Sequence, residues 1–430
     1  MKKPKVLMLG WEFPPNITGG LGVACYHIAR SLRQHVPVTI MLPKIAPNIR
    51  IKGIRLIGIG NLNLKKIFTK KEQRTIFSKF SKKVADLILT PYPSRTSRKK
   101  TALKLSKITN AAKKQVKIEN LLSGTDIYGD NVVEKVQFYA EICKKICRSI
   151  DFNLIHAHDW MTFPAALAIK EITGKPLILH IHSLNIDRVG PENQDWIFNL
   201  EKDSLNRADL ILPVSHYTGN LIKEHYGIPK NKIFPVHNGI RPVKTFHSPK
   251  KFPEKLILFL GRLTYQKGPE YFLEVASRIL SEYSNVRFVL AGKGDKFSRM
   301  VEESAYKEIG HKLHFTGFIN REKVLDLLSM TDVMVMPSVS EPFGLAAIEA
   351  AQFGIPVILS KRSGAAEVLK GAIKADFWDI DHMAGSIIRL LSDDAFRKKV
   401  VSQELKDLKS LTWENTAKNI LKAYSRFNTL

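Results

Sequence analysis

The chain has 430 residues, of which 44% are hydrophobic and 25% are charged, and its formal net charge at pH 7 is +27. This composition excludes a wholly disordered chain, and no apolar run approaches the roughly 18–20 residues that cross a bilayer. A chain of this length is expected to fold as two or three domains, each with its own core.

Short apolar runs alternate with helix-like or loop segments along the whole chain. Near-continuous apolar strands are typical of a parallel sheet that is covered by helices on both faces. The alternation starts afresh in the second half, which predicts two successive Rossmann-like, doubly wound α/β domains. The runs are KVLMLG, VTIML, LIHAH, LILHIH and LILPVS in the first half, then LILFLG, RFVLAG, LHFTG, VMVMP and PVILS in the second.

A turn-rich segment with three prolines, HNGIRPVKTFHSPKKFPEK, separates the two sets of runs and is predicted to be the linker. We therefore predict an N-terminal domain over 1–245 and a C-terminal domain over 246–412. The final segment, 413–430, has a helical pattern, and one possible arrangement packs it back onto the N-terminal domain.

The positive charge is concentrated in residues 61–120, which contain 17 Lys or Arg and three acidic residues. This segment is predicted to be a helical or partly mobile insertion. Such a charge run is typical of a solvated face, and the alternative is a surface that attracts a polyanion or makes peripheral contact with an anionic membrane. The segment has no RNA-binding aromatic motif, zinc finger or helix-turn-helix pattern, so we expect no specific nucleic-acid partner.

Three cysteines, Cys25, Cys143 and Cys147, are too few and of the wrong parity for a disulfide framework. An odd cysteine count favours a reducing compartment. We therefore expect a cytoplasmic location.

A glycine cluster, Thr18-Gly19-Gly20-Leu21-Gly22, follows the first predicted strand and precedes a helical pattern at Ala24–Leu32. Glycines allow a ligand to approach the backbone closely, and a helix N-terminus favours an anion such as phosphate. The cluster matches neither a P-loop nor a G-x-G-x-x-G fingerprint. A plain tight turn is the alternative.

Two H-x-H pairs, His156 with His158 and His180 with His182, end neighbouring predicted strands. Residues two apart on a strand share a face, so each pair presents two imidazoles together. This pattern raises a metal-dependent hydrolase as an alternative function. No further ligand cluster completes a metal site in the sequence, so the leading expectation is hydrogen-bonded neutral histidines and no metal.

Two more clusters lie in the second half. Arg262 and Lys267 follow the LILFLG strand beside glycines, and two fixed cations there suit a diphosphate. Glu341 precedes a helix that Gly344 opens, and Glu349 lies up to about 12 Å further along that helix. Two carboxylates flanking an anion site suit hydroxyl groups at both ends of a sugar diphosphate. A basic loop and exposed glutamates are the plainer alternatives.

Asp379-Ile-Asp381 has the D-x-D pattern that some metal–nucleotide sites use. It directly precedes the helical pattern HMAGSIIRLL, and aspartate is a preferred N-cap residue. We therefore predict an N-cap at this position.

Taken together, the clusters resemble the GT-B glycosyltransferases of family 4, in particular the branch that contains glycogen and starch synthases. The matching motifs occur in the family's order and span nearly the whole chain. They are TGGLG at 18–22, HAHDW at 156–160, HIHS at 180–183, HNGI at 237–240, GRLTYQKG at 261–268 and EPFGLAAIE at 341–349.

The resemblance implies two Rossmann-like domains that face an interdomain cleft, a nucleotide-sugar donor and no cofactor or essential metal. It implies that Arg262 and Lys267 stabilise the leaving diphosphate. The backbone of Gly344 and Leu345 would add N–H donors there. Glu341 would bind the donor sugar.

The same resemblance implies that Glu349 holds the nucleotide ribose. The remaining implied roles fall on the N-terminal domain. His182 would contact the donor sugar at the reaction centre, Asp159 would lie on the acceptor side, and Gly19 and Gly20 would approach the phosphate. The donor-binding set also includes Asn238 and Phe343, which lie inside the matching motifs.

The expected reaction is retaining transfer of a hexosyl unit, with glucose the leading candidate, to an α-glucan. Bacterial glycogen synthases usually carry Lys before their Thr-Gly-Gly-Leu, and this chain has Ile17. The donor therefore stays open between UDP-glucose and ADP-glucose. A family 4 transferase that acts on a lipid or surface polysaccharide is the alternative within the class.

Overall fold

The computed structural model describes most of the chain, in several stretches. The described residues are 3–15, 17, 19–46, 49–63, 122, 127–128, 131–246, 250 and 252–427. Thr18 of the glycine cluster and all but the first three residues of the predicted 61–120 insertion lie outside these stretches.

The N-terminal domain is built on a six-stranded parallel sheet with the order β3-β2-β1-β4-β5-β6. The strands are β1 Val6–Leu9, β2 Val38–Leu42, β3 Ile54–Gly58, β4 Leu154–His158, β5 Leu177–Ile181 and β6 Leu210–Pro213. The helices are α1 Gly20–Leu32, α2 Val132–Ile146, α3 Phe163–Thr173, α4 Asn185–Val189, α5 Trp196–Arg207 and α6 His216–Tyr226.

The C-terminal domain is built on a second six-stranded parallel sheet with the order β12-β11-β10-β7-β8-β9. The strands are β7 Lys255–Leu260, β8 Val286–Ala291, β9 Leu313–Gly317, β10 Val333–Met336, β11 Val357–Ser360 and β12 Ile373–Ala375. The helices are α7 Pro269–Leu280, α8 Phe297–Tyr306, α9 Arg321–Met330, α10 Leu345–Gln352, α11 Ala365–Val368, α12 Ile380–Ser392 and α13 Asp394–Leu408, and the last helix of the chain is α14 Trp413–Tyr424.

All ten predicted apolar runs form strands, and the prediction of two doubly wound domains is confirmed. The structure adds two edge strands, β3 and β12, which the sequence reading missed. β12 has only three residues and lies at the sheet edge, so it does not need the long apolar run that marks a central strand. The N-cap prediction is also confirmed, because Asp379 Oδ1 accepts the backbone N–H of His382.

The last helix, α14, packs against α1 and completes the core of the N-terminal domain. Trp413 stacks on His27 with ring centroids 5.2 Å apart, and Tyr424 is fully buried. The chain therefore passes between the domains twice. These two connections touch each other, since the Ile240 N–H donates to Leu411 O and Ile240 pairs with Thr412 as a parallel bridge.

No helix in the described stretches is both long enough and apolar enough to traverse a bilayer.

Candidate active site

Each sheet has one topological switch point, where the order of strands reverses. In the first sheet it lies between β1 and β4, and in the second between β7 and β10. Ligands of open α/β sheets bind beyond the carboxyl ends of the strands at such points. The glycine cluster follows β1 and Asp159 follows β4, whereas Arg262 and Lys267 follow β7 and Glu341 follows β10. These predicted site residues therefore lie at the switch points of both sheets.

Lys267 and Glu341 form a direct ion pair at the second switch point. The loops that carry them are also joined through the backbone, because the N–H of Ser340 donates to the carbonyl of Gln266 at 3.3 Å. Glu341 is 6% exposed, so its carboxylate is held in a largely dehydrated setting beside the ammonium group. Arg262 lies in the same loop, five residues before Lys267, and is exposed.

The N-terminus of α10 meets this pair. Gly344 is the N-cap residue with φ 98°, a left-handed conformation that favours glycine. A Cβ on Gly344 would also lie 2.8 Å from Met336 Cε and 3.3 Å from Glu341 Cγ. The free N–H groups of this first turn therefore lie next to Lys267 and Glu341, an arrangement that suits a phosphate.

The glycine cluster of the N-terminal domain faces this helix across the gap between the domains. A Cβ added to Gly20 would lie 3.5 Å from Leu345 Cδ1. The structure corrects the predicted start of the first helix, because α1 begins at Gly20 and not at Ala24, with Gly19 as its N-cap. The first turn of α1 packs closely against Glu12. A Cβ at Gly22 would lie 2.9 Å from Glu12, so this position favours glycine.

Glu12 is a site residue that the sequence reading missed. It follows β1, is 3% exposed, accepts the Gly19 N–H through Oε2 at 3.3 Å and bonds Tyr128. Its position after a strand at the switch point was the available signal. The acid thus holds the N-cap of α1 in place.

Glu349 lies on α10, and its Oε2 accepts a hydrogen bond from Arg321 Nη1 at 2.6 Å. Arg321 begins α9, directly after the loop that follows β9. Glu349 is therefore on the helix whose N-terminus suits a phosphate, but it is held by a different neighbour than Glu341. Arg321 was not predicted.

The four histidines form one stacked array on the face of the first sheet that α14 covers. His158 and His180 are direct cross-strand partners, and ring centroids within the array lie 4.5–5.3 Å apart. Tyr424 bonds His156 Nδ1 at 2.6 Å, and His158 Nδ1 lies 2.9 Å from His182 Nε2. The array thus links the last helix to the residue predicted to lie at the reaction centre.

Burial keeps these rings neutral. It lowers the pKa of His156 and of His182 to about 3, and it lowers the pKa values of His158 and His180 well below the usual range. A neutral His182 can donate or accept a hydrogen bond but brings no positive charge to a substrate.

Asp159 and His182 are brought into direct contact, because the His182 N–H donates to Asp159 Oδ1 at 2.7 Å. Asp159 has φ 58°, a strained conformation for a residue other than glycine. Burial raises the pKa of Asp159 to about 7, although the bond from His182 and the charge of Arg188 oppose the increase. Strain and a perturbed pKa at one residue are typical of a functional site.

The domains are joined at the site by α4, a helix that the sequence reading missed. Asp187 Oδ1 accepts a hydrogen bond from Ser340 Oγ at 2.5 Å, and Tyr217 Oη lies 2.9 Å from the same Ser340 oxygen. The α4 helix also packs against the 265–267 turn that carries Lys267. Burial raises the pKa of Asp187, and the bond from Ser340 opposes that increase.

A buried carboxylate supports α4 from behind. Glu201 accepts the Asn185 N–H through both oxygens, at 3.0 and 3.1 Å, and accepts the Tyr226 hydroxyl at 2.5 Å. Arg188 lies 3.7 Å from it. Burial raises the pKa of Glu201 to about 8 despite these partners. These contacts join elements that are distant in sequence, and no local motif signals them.

Two predicted donor-binding residues lie apart from the Lys267–Glu341 pair. The side chain of Phe343 is buried in the C-terminal core and lies 6.0 Å from the His237 ring, so only its backbone is available to a donor. Asn238 lies in the first connection between the domains, where the neighbouring Gly239 packs against Thr412 and Trp413.

Among the described residues, two groups of side chains have a geometry that could hold a metal ion. His156, His158 and His180 form one, and His216, His237 and Glu367 form the other, each with ligand atoms within 4.8 Å of one another. The histidine group is fully buried beneath α14, so a metal there would have no open position for water or substrate. That burial does not support the alternative of a metal-dependent hydrolase.

Family models match most of the chain. Residues 241–407 match the family model for glycosyl transferases group 1, and residues 131–244 match the model for glycosyltransferase family 4. The two matches meet in the predicted linker and together include every strand from β4 to β12.

Two relatives and one solved structure illustrate the similarity. An uncharacterized glycosyltransferase of Methanocaldococcus jannaschii is 32% identical over 294 residues, which is 64% of this chain and 75% of that protein. A glycogen synthase of Mycobacterium tuberculosis is 22% identical over 98% of this chain and 94% of its own. The structure of Anabaena HepE in complex with UDP and glucose superposes with a TM-score of 0.65 at 14% identity, over 98% of this chain and 99% of that one.

The sheet orders, the charged residues at both switch points and these matches agree with one another. The chain belongs to the group 1 glycosyltransferases of family 4 and has the GT-B fold.

Proposed function

We propose that this protein is a retaining hexosyltransferase that moves a glucosyl unit from UDP-glucose or ADP-glucose to the end of an α-glucan. The observation that carries the proposal is the Lys267–Glu341 pair at the N-terminus of α10, opposite the glycine cluster of the other domain. The relative that is a glycogen synthase, aligned over almost the whole chain, supports the glucan acceptor.

In the proposed reaction, the bond between the sugar C1 and the diphosphate oxygen breaks, and the acceptor hydroxyl oxygen bonds to C1. The acceptor proton leaves to the diphosphate or to water. Negative charge develops on the leaving diphosphate, so Lys267, Arg262 and the first-turn N–H groups of α10 act where stabilisation is needed. No metal is required in this scheme.

The remaining predicted residues divide between donor and acceptor. Glu341 would bind hydroxyls of the donor sugar, and Glu349 would bind the ribose. His182, as a neutral ring, would hydrogen-bond the donor sugar, while Asp159 would fix the backbone of His182 and face the acceptor. The contact between Ser340 and Asp187 would bring the domains together and exclude water, which otherwise competes for the donor.

The direct test incubates the protein with labelled UDP-glucose or ADP-glucose and with oligomaltose. We expect glucose to be transferred, with slow hydrolysis of the donor when the acceptor is omitted. Neither transfer nor hydrolysis with either donor would reject the glucan version. A screen of nucleotide diphosphates by thermal shift then identifies the base, because a bound nucleotide stabilises the folded state.

A second candidate is supported by the charge of residues 61–120, with 17 Lys or Arg in 60 residues. In this version the segment contacts an anionic membrane, and the acceptor is a lipid or a surface polysaccharide. Co-sedimentation with anionic liposomes that is lost when 64–120 is deleted would favour it. Absence of binding at low ionic strength would reject it.

A cytoplasmic location is part of the proposal. The three cysteines are all buried and unpaired, as a reducing compartment would favour.

A further inference from the structure

A cavity of about 490 Å³ lies where the two connections between the domains cross. Its walls come from His237 and Asn238 of the first connection, from the segment 367–370 that follows β11 and contains part of α11, and from residues 410–422 of the second connection and α14. Among the predicted donor-binding residues, only Asn238 lines it. The volume is within the range of small-molecule sites.

The cavity is positively charged. Lys370, Lys418 and Lys422 line it, and none of the three has an ion-pair partner among the described residues. Lys418 and Lys422 are four residues apart on α14, a spacing at which like charges repel each other. A bound anion would relieve that repulsion.

The one carboxylate among the lining residues is already engaged. Glu367 accepts the backbone N–H groups of His216 and Tyr217 at 2.9 and 2.6 Å and bonds His237 Nε2 at 2.7 Å. Its charge is therefore directed at the N-terminus of α6 and at His237. The three lysines are left to a ligand.

Uncharged polar side chains also line the cavity. Thr412, Asn415 and Asn419 offer one hydroxyl and two amide groups to a ligand there. Asn238 contributes to the lining as well, but its Oδ1 is buried away from the open space.

We propose that this cavity binds a phosphate monoester that also carries hydroxyl groups, such as a sugar phosphate. The phosphate lies among Lys370, Lys418 and Lys422, and the hydroxyl groups bond the side chains of Thr412, Asn415 and Asn419. Lys418 and Lys422 move with the N-terminal domain through α14, whereas Lys370 belongs to the C-terminal domain. A ligand held by all three therefore bridges the domains at their hinge.

The test measures binding, not turnover, so its result is independent of the proposed function. Isothermal titration uses the full chain with glucose 6-phosphate, inorganic phosphate or glucose at constant ionic strength. We expect glucose 6-phosphate to bind more tightly than inorganic phosphate, and glucose alone to show no binding. Equal affinity for inorganic phosphate and the ester would overturn the hydroxyl recognition.

Four variants locate the site. Changing Lys370, Lys418 and Lys422 together to Ser should weaken binding of glucose 6-phosphate at least tenfold. A control variant removes the same charge elsewhere. It replaces with Ser three other exposed lysines that have no ion pair among the described residues, and it should keep the wild-type affinity. The control residues are Lys223, Lys230 and Lys399.

Lys267→Ala separates this cavity from the diphosphate site, which could also attract a phosphate. The hinge proposal expects Lys267→Ala to bind glucose 6-phosphate as the wild type does. Loss of binding in that variant, or an equal loss in the triple-lysine control, would overturn the proposal. Lys422→Glu provides a second, single change at the cavity, and circular dichroism and thermal melting of every variant confirm that it is folded.

Discussion

Ser340 Oγ of the C-terminal domain lies 2.5 Å from Asp187 Oδ1 of the N-terminal domain. The bond joins the loop just before Glu341 to α4, the helix that packs on the Lys267 turn. One hydroxyl therefore couples the separation of the domains to the geometry of the proposed diphosphate site.

We expect Ser340→Ala to lower kcat/KM by about 10- to 100-fold. A hydrogen bond to a charged group contributes about 1.5–3 kcal/mol, and the change leaves buried Asp187 without this donor. Steady-state kinetics with the donor found by the nucleotide screen measure the effect. Ser340→Thr keeps the hydroxyl and should retain most activity, and comparable losses in both variants would argue against a role for the hydroxyl.

Lys267→Ala and Glu341→Gln should each lower kcat/KM by about 10²–10³-fold in protein that circular dichroism shows to be folded. The reason is that preorganised charge at a developing anion supplies a large part of catalysis. Lys398→Ala is the matched control, because it removes a lysine from an exposed pair with Asp394. Undiminished turnover in both site variants would refute the assignment.

Glu349→Gln tests the ribose assignment. If this carboxylate accepts the ribose hydroxyls, the wild type should bind UDP or ADP about tenfold more tightly than the 2′-deoxy nucleotide, since one charged hydrogen bond is lost. Glu349→Gln should reduce that preference. Titration calorimetry with each nucleotide pair measures it, and a variant that keeps the full preference would place the ribose elsewhere.

The histidine array predicts sensitivity to acid. The folded-state pKa of His156 is about 3, below its usual value near 6.5, so between these pH values the unfolded state binds the extra proton. The stability contributed by each such ring is present above pH 6.5 and is lost as the pH falls, at up to about 1.4 kcal/mol per pH unit. The raised pKa values of Asp159 and Glu201 act in the opposite direction.

A difference measurement isolates the histidine. We expect the free energy of unfolding of His156→Gln to depend less steeply on pH than that of the wild type, measured by urea unfolding at pH 7, 6 and 5. Identical slopes for the two proteins would contradict the prediction.

Tyr424→Phe should destabilise the protein by about 1–3 kcal/mol, because it removes the partner of His156 Nδ1 in a fully buried setting. Tyr306→Phe is the matched control at a position that is 89% exposed and should be nearly neutral. Urea unfolding measures both. A neutral Tyr424→Phe would mean that the buried bond contributes no net stability.

The sequence predicts those features of the fold and of the site that a local residue pattern encodes. The central strands are apolar runs because both their faces are covered, and the clusters around Lys267 and Glu341 are visible because parallel strands place their carboxyl ends at one edge. The two edge strands escape detection because they need less apolar sequence. The start of α1 was misplaced because glycine has a low helix propensity. In the structure, the hydrogen bond from the Gly19 N–H to Glu12 supports the early start of the helix.

The contacts that assemble the site across the domains lie beyond sequence reading. Asp187 meets Ser340 across 153 positions, and Tyr424 meets His156 across 268. Neither pair shares a motif, since each depends on how two sheets and the last helix pack. The sequence could therefore suggest which residues carry charge but not which ones join the halves.

The return of α14 to the N-terminal domain has a consequence for biosynthesis. At roughly 5–20 residues per second, a ribosome needs about 10–30 s to make residues 246–412 after the first sheet has emerged. Throughout that interval the sheet surface around Met8, Ile40 and Leu212 lacks the cover that Trp413 and Tyr424 later supply. The first domain to be translated is thus the last to be completed, and a nascent chain cut short before residue 413 leaves that apolar surface open to aggregation.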